Sequence, residues 1–281
     1  MTGIIDVGGG LRGIYGAGVL DRCLADEVQF DVCIGVSAGS ANVAAFLGGQ
    51  EGRNYRFYTK YALRPEYMSW RNVFHKGAFI DLGYVYATLS NAGGEDPLRY
   101  DRIAQYTGQM LVVTSGADGK PVYFTAKNMA QDNYRIIRAS SSLPLICGGC
   151  KINGQVYFDG GIADPIPIEK AFALGCERVV LILTRPVDFD VTNGIDRIGA
   201  AALRRRYPAL SQTLLHKAEH YRESLAFARR MEREGKCLIV APDDCCGVEM
   251  LTRETPKLHA LYEKGVADGG AIHTFLQTET I

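Results

Sequence analysis

Three short stretches carry residue types suited to one kind of chemistry. Residues 6–13 read DVGGGLRG, residues 33–40 read CIGVSAGS, and residues 159–161 read DGG. Gly35-Val36-Ser37-Ala38-Gly39 fits G-x-S-x-G, a pattern that displays a serine hydroxyl on a sharp turn between a strand and a helix. The turn is strained, so the flanking positions, Gly35 and Gly39, must lack bulk. A helix that starts just after the serine aims backbone N–H groups and a positive dipole end at the same point. The consecutive glycines Gly8, Gly9 and Gly10 let main-chain amides converge on a small anion with no side chain in the way. Arg12 adds a fixed positive charge beside that nest, suited to orienting the loop or to holding a phosphate.

A serine hydroxyl needs a base. Asp159 is the best placed carboxylate, because Gly160 and Gly161 let the backbone bend and let another loop approach closely. A carboxylate can take the proton directly from a hydroxyl within about 2.6–3.2 Å. A histidine base would require Ser…Asp…His in chain order. His75 precedes the aspartate, while His216, His220, His259 and His273 all fall in expected helices. His216 and His220 also spell HxxEH, but no third ligand follows, and no metal centre is expected. Gly8-x-Gly10-x-x-Gly13 matches a dinucleotide fingerprint, which wants an acid at the end of the second strand. That end holds Ser37, and Asp31 lies at the strand's start, so the nucleotide reading ranks low.

Elements that could position these residues are legible around them. Gly3–Val7 and Phe30–Val36 are short apolar strands, and Ile14–Ala25 and Ser37–Leu47 have helical character, which gives βαβα and a right-handed parallel crossover. Ligands of such sheets bind at the carboxyl ends of the strands, where both loops lie. Met110–Ser115 and Val122–Ala126 read as a hairpin, Gln155–Phe158 as a strand ending at Asp159, and Val179–Thr184 as a buried parallel strand. Tyr55–Ser90, rich in tyrosine, reads as helices covering the sheet. Ile166–Leu174, Ile195–Arg206, Leu210–Glu234 and Pro256–Leu276 read as helices, and Lys236–Ala241 as a strand. The expected division is a catalytic domain over 1–190 and a mainly helical extension with one strand over 191–281.

Bulk properties narrow the classes. The 281 residues are 47% apolar, and 31 basic residues balance 31 acidic ones, so no global field recruits nucleic acid. No stretch approaches the 18 apolar residues of a membrane span, and the N-terminus lacks the features of a secretory signal. The eight cysteines then suggest mostly free thiols in a reducing compartment. Cys147 and Cys150 have CxxC spacing with no second pair. The expected location is cytoplasmic, peripheral to the inner face of the membrane where an apolar rim meets it. Oligomeric state is not legible.

Taken in order, GGGLRG, GVSAG and DGG, with RASSSLP at 138–144 and DGGIADPIP at 159–167, closely resemble the patatin-like phospholipase family over roughly residues 3–185. The remainder, with RRYPAL and MEREGK, is similar to a C-terminal extension of certain bacterial members. The resemblance implies a three-layer α/β/α fold with a mostly parallel central sheet and a Ser–Asp dyad without histidine. Ser37 would be the nucleophile, Asp159 the base, and the backbone of Gly9, Gly10, Leu11 and Arg12 the oxyanion hole. It further implies hydrolysis of lipid carboxylic esters, phospholipids or lysophospholipids, through an acyl-enzyme with no cofactor. Two other readings stay open: a non-catalytic protein that binds lipid or phosphate, and a Ser-His-Asp esterase.

Overall fold

The computed structural model describes residues 1–192 and 194–277. The glycine and serine motifs lie on the first two strands of a central sheet. β1 (Thr2–Asp6) leads through the glycine loop and a 3₁₀ turn (Gly10–Gly13) into α1 (Ile14–Ala25). β2 (Val32–Val36) leads through Ser37 into α2 (Ala38–Leu47). A helical cover follows: α3 (Arg53–Arg56), a π-helical turn (Phe57–Tyr61), α4 (Trp70–Lys76), a second π-helical turn (Tyr84–Leu89) and α5 (Tyr100–Gln105). β3 (Gln109–Gly116) and β4 (Pro121–Thr125) form an antiparallel hairpin, and α6 (Arg135–Ser140) leads to a second one, β5 (Cys150–Ile152) with β6 (Gln155–Asp159). α7 (Ile168–Ala173) and β7 (Arg178–Ile182) come next. The last part comprises α8 (Gly194–Leu203), α9 (Pro208–Arg233), β8 (Cys237–Val240), α10 (Thr255–Gly269) and α11 (Ala271–Gln277).

β1 lies between β2 and β7, and β8 lies outside β7; β3 carries β2 and, further along the same edge, β6, with β4 on its other edge and β5 outside β6. β3, β2, β1, β7 and β8 run parallel; β4 and β6 run antiparallel to β3. The parallel strands β1, β2, β3 and β7 are almost continuously buried because both faces are covered, whereas β4, β5 and β6 keep exposed residues. Alternate residues feed two cores: Ile4, Val180 and Ile182 pack toward α1, α2 and α10, while Ile5, Val179 and Leu181 pack toward α7 and α9. This is an α/β fold with helices on both sides of a mostly parallel sheet.

The C-terminal part is built into this frame. β8 pairs with β7 and extends the sheet. α10 lies against α1 so closely that a Cβ on Gly18 would strike the Tyr262 carbonyl, and one on Gly265 the Tyr15 carbonyl. A small third cluster, including Phe158, Ile162, Leu203 and Leu214, ties α8 and α9 to the end of β6. Residues 193 and 278–281 of the expected extension lie outside the described residues.

Several boundaries differ from the sequence expectation. The expected helix over 256–276 is two helices, because the chain turns at Gly269–Gly270 and Gly269 packs on Arg22. The helix expected to reach Arg206 ends at Leu203 and closes in a turn before Pro208. β5 has only three residues and no alternation long enough to register as a strand.

Candidate active site

Ser37 and Asp159 meet because two strands end on the same edge of β3. β2 runs parallel to β3 and its last residue, Val36, pairs with Val113. β6 runs antiparallel to β3 and its last residue, Asp159, pairs with Thr114. β4 occupies the other edge over Leu111–Ser115. The carboxyl ends of β2 and β6 therefore converge on neighbouring residues of one strand. Ser37 Oγ donates to Asp159 Oδ2 at 2.6 Å.

The serine sits at φ 54° and ψ −131°, left-handed backbone that a non-glycine residue adopts only when its surroundings hold it there. Its N–H donates to Ser140 Oγ at 2.9 Å, and its carbonyl accepts from Ser40 N–H at 3.0 Å and Ser40 Oγ at 2.6 Å. Gly35 and Gly39 are required by space: a Cβ on Gly39 would strike the Asp6 carbonyl, and one on Gly35 the Ser40 backbone.

Asp159 is 4% exposed and fully engaged. Its Oδ1 accepts the Gly161 N–H at 2.9 Å, its own N–H donates to the Ser142 carbonyl at 2.9 Å, and its carbonyl accepts from Ser115 Oγ at 2.7 Å. Gly160 is pressed against the Val113 carbonyl and has no room for a side chain. Burial raises the Asp159 pKa above the usual carboxylate range; the Ser37 hydroxyl, Lys217 and the Gly161 amide pull the other way.

The glycine loop follows Asp6, whose buried carboxylate accepts from Gly8 N–H at 2.8 Å and from Asn42 Nδ2 at 2.8 Å. Asn42 also donates to the Gly13 carbonyl at 2.8 Å, which locks α2 to the loop. Burial pushes the Asp6 carboxyl up to about 6 against these hydrogen bonds. Gly8, Gly9 and Gly10 all have positive φ. Thr184 Oγ1 donates to the Gly8 carbonyl. Among the described residues the Gly9 and Gly10 N–H groups have no acceptor, so both are free for an anion. The Leu11 N–H differs: it donates to the Met250 carbonyl at 2.9 Å, so this donor serves to anchor the loop to the C-terminal part. Arg12 is 8% exposed, and its Nη2 lies 3.2 Å from the point a Gly9 Cβ would occupy.

These groups line one cavity of about 510 Å³. From Ser37 it extends into the helical cover, where Tyr58, Tyr61, Met68, Ile80, Leu82 and Val85 are buried and apolar. The tyrosine-rich segment 55–90 thus lines it, and both π-helical turns contribute. No histidine is among the lining residues. His216 Nδ1 faces the Gln212 carbonyl on its own helix, and His259 faces Tyr55 OH. All eight cysteines are free, and among the described residues no group of three or more His, Cys, Asp or Glu side chains could hold a metal. Asp31 accepts from the Thr2 N–H at the far end of β1, away from the loop a nucleotide would occupy.

Asp6, Asn42, Ser140, Thr184 and Met250 escaped the sequence reading. Of these, Ser140 lay inside the quoted RASSSLP, and Asp6 stood at the head of the glycine run. Nothing in the sequence pointed to Met250.

An α/β sheet with a strained serine elbow, an adjoining glycine loop and an aspartate at the end of an antiparallel strand defines a class. The model of the patatin-like phospholipases matches residues 7–172, and the chain belongs to that family. A domain of unknown function matches residues 207–275. Among relatives, the chain is 34% identical to the uncharacterised protein YjjU of Escherichia coli K12 over 186 residues, 64% of this chain and 50% of that protein. It is 24% identical to the lysophospholipase NTE1 of Candida albicans over 192 residues, 66% of this chain and 13% of that protein. The chain thus matches half of the first relative's length and a small part of the second's. The crystal structure of VipD from Legionella pneumophila aligns over 96% of this chain and 66% of that chain, with a TM-score of 0.47 and 12% identity. Among the described residues no helix is long and apolar enough to cross a membrane.

Proposed function

We propose that the chain is a serine acyl hydrolase that cleaves carboxylic ester bonds of phospholipids or lysophospholipids through an acyl-enzyme, with Ser37 and Asp159 as a dyad. The observation that carries this reading is the 2.6 Å hydrogen bond from Ser37 Oγ to the buried Asp159 carboxylate, beside two glycine amides with no acceptor among the described residues. Ser37 Oγ attacks the acyl carbon and its proton passes to Asp159 Oδ2. The carbonyl oxygen becomes an oxyanion held by the Gly9 and Gly10 N–H groups, with Arg12 adding positive charge nearby. As the intermediate collapses, Asp159 returns the proton to the departing alcohol and the acyl group stays on Ser37. Asp159 then takes a proton from water, which attacks the acyl-enzyme, and the carboxylic acid leaves as Ser37 regains its hydrogen. The raised Asp159 pKa makes it a better base than an exposed carboxylate. The apolar arm of the cavity accommodates the acyl chain.

Ser37→Ala and Asp159→Asn each test the dyad on a lysophospholipid and on a soluble acyl ester. Both variants are expected to lose roughly 10⁴-fold or more in kcat with little change in melting temperature. Activity of Ser37→Ala near the parent rate refutes the dyad and favours the binding-protein reading.

A further inference from the structure

Arg12 has a charge problem that the dyad does not explain, and Arg185, half-buried beside it, adds to it. Arg12 is 92% buried by its 8% exposure, yet among the described residues it makes no ion pair, and its Nε is a buried donor with no acceptor. Arg185 follows Thr184 just past the end of β7 and lays its guanidinium over the Phe189 ring at 4.5 Å, again with no ion pair. Both line the cavity that holds Ser37. Among the described residues no nearby carboxylate forms an ion pair with either arginine, although Glu249 lies close enough to attract Arg12. Asp196 pairs with Lys217 at 3.5 Å, Asp188 pairs with Arg229, and Glu249 is exposed and makes no ion pair with either arginine. Burial lowers the Arg12 pKa to about 10 and repulsion from Arg185 adds to the depression, while Cys245, Glu249 and Tyr221 offset only part of it. A desolvated cation facing a second cation weakens the fold unless something answers it.

An anion with several acceptor oxygens would answer it. Guanidinium groups present planar forks of donors that match phosphate, and charge-assisted hydrogen bonds of this kind are the strong ones. The position suits a substrate. The cavity's apolar arm leads away from Ser37 into the cover, whereas Arg12 abuts the Gly9 loop on the wall formed by the ends of β1 and β7. An acyl chain in the apolar arm leaves the alcohol half of the ester to the charged wall.

We infer that Arg12 and Arg185 form a phosphate subsite beside Ser37, which receives the phosphate group of the substrate's alcohol half. The inference rests on the hydrolase reading for its substrate, and it narrows the substrate class to esters whose alcohol carries a phosphate. Two neighbouring cations without an ion pair among the described residues favour a terminal, dianionic phosphate over a phosphodiester with a single charge.

The test has a binding arm and a turnover arm. In the binding arm, inorganic phosphate is titrated calorimetrically into the Ser37→Ala protein and into Ser37→Ala with Arg185→Gln, after matched melting curves establish that both are folded. Phosphate binding is expected in the first, weakened about tenfold or more in the second and partly restored by Arg185→Lys. In the turnover arm, the ratio of kcat/KM for a lysophosphatidate to that for the monoacylglycerol of the same chain is measured. It is expected to exceed about tenfold in the parent and to collapse toward one in Arg185→Gln. Equal phosphate affinity with and without Arg185 overturns the subsite. Affinity that depends on Arg185 with no preference between the two lipids overturns the substrate assignment and makes free phosphate the ligand. Phosphate binding that depends on Arg185 in a protein that cleaves no ester at all leaves the subsite standing and overturns the hydrolase reading instead.

Discussion

At the residue scale, the site depends on backbone held where side chains rarely go. Ser37 keeps its φ of 54° because Ser140, Ser40 and the crowded glycines leave it no alternative. Replacing Ser140 by Ala removes the acceptor of the Ser37 N–H. The expected cost is about 1–3 kcal/mol in chemical denaturation, with a fall in kcat larger than any change in KM. Gly9→Ala places a methyl beside Thr184 Oγ1 and Arg12 at a φ of 127° that alanine resists. The expected result is a drop in kcat of about 10²–10³, the loss of one oxyanion donor's alignment, read in steady-state kinetics on a soluble ester. Ser37, Asp159 and the glycines were legible because their chemistry demands particular residue types in a particular order. Leu11 shows the limit. Its amide stood in the expected oxyanion loop, yet it donates to Met250, some 240 residues away in sequence, and no local pattern announces such a contact.

At the element scale, the geometry comes from β2 and β6 ending on one edge of β3. The first half of that arrangement was readable, since an apolar strand, a glycine turn and a small-residue helix leave local marks. α1 has the expected bounds, Ile14–Ala25, and the hairpin around 116–120 is where its turn residues put it. That β6 is antiparallel and continues the line of β2 was not readable, because a pairing as distant in sequence as Thr114 with Asp159 leaves no periodic trace. The tyrosine-rich cover resisted reading for a related reason: its apolar residues face an open cavity as well as a core, and π-helical turns break the 3.6-residue rhythm. Asn42 links these elements, with its side chain bonded to Asp6 and Gly13 and approached by Tyr58 OH at 3.3 Å. Asn42→Ala leaves the buried Asp6 carboxylate with the Gly8 amide alone. A destabilisation of about 2–4 kcal/mol is expected, read by denaturant titration at neutral pH and smaller at pH 4, where Asp6 carries a proton.

At the scale of the whole molecule, stability and activity should respond to acid in opposite ways. Burial raises Asp6, Asp21 and Asp164 each to about 6, from a value near 3.8 in the unfolded chain. Between those values the folded protein holds more protons than the unfolded one. Unfolding free energy therefore falls as pH rises from about 4 to 6. The carboxylates shifted the other way, such as Glu95, are exposed and contribute little. The proposed dyad needs Asp159 ionised, so on that proposal kcat should climb with pH through the raised Asp159 pKa. Denaturant titrations and a pH–rate profile over the same range check both slopes. The mouth of the cavity offers a separate test of how lipid arrives. Leu145 is 49% exposed there, the neighbouring Ile146 carbonyl accepts from Phe79 N–H, and α4 beyond it exposes Trp70 and Phe74 on one face beside Arg71. Trp70 is the single tryptophan. Its fluorescence should shift to the blue on adding anionic phospholipid vesicles, and Trp70→Ala with Phe74→Ala should slow hydrolysis of vesicles more than that of monomeric esters.

Labelling with a fluorophosphonate, located by peptide mass spectrometry, tests most directly whether Asp159 activates Ser37. One adduct is expected, on the peptide containing Ser37, with the rate lowered about 10²-fold or more in Asp159→Asn. An adduct on another residue, or an unchanged rate in Asp159→Asn, contradicts the account.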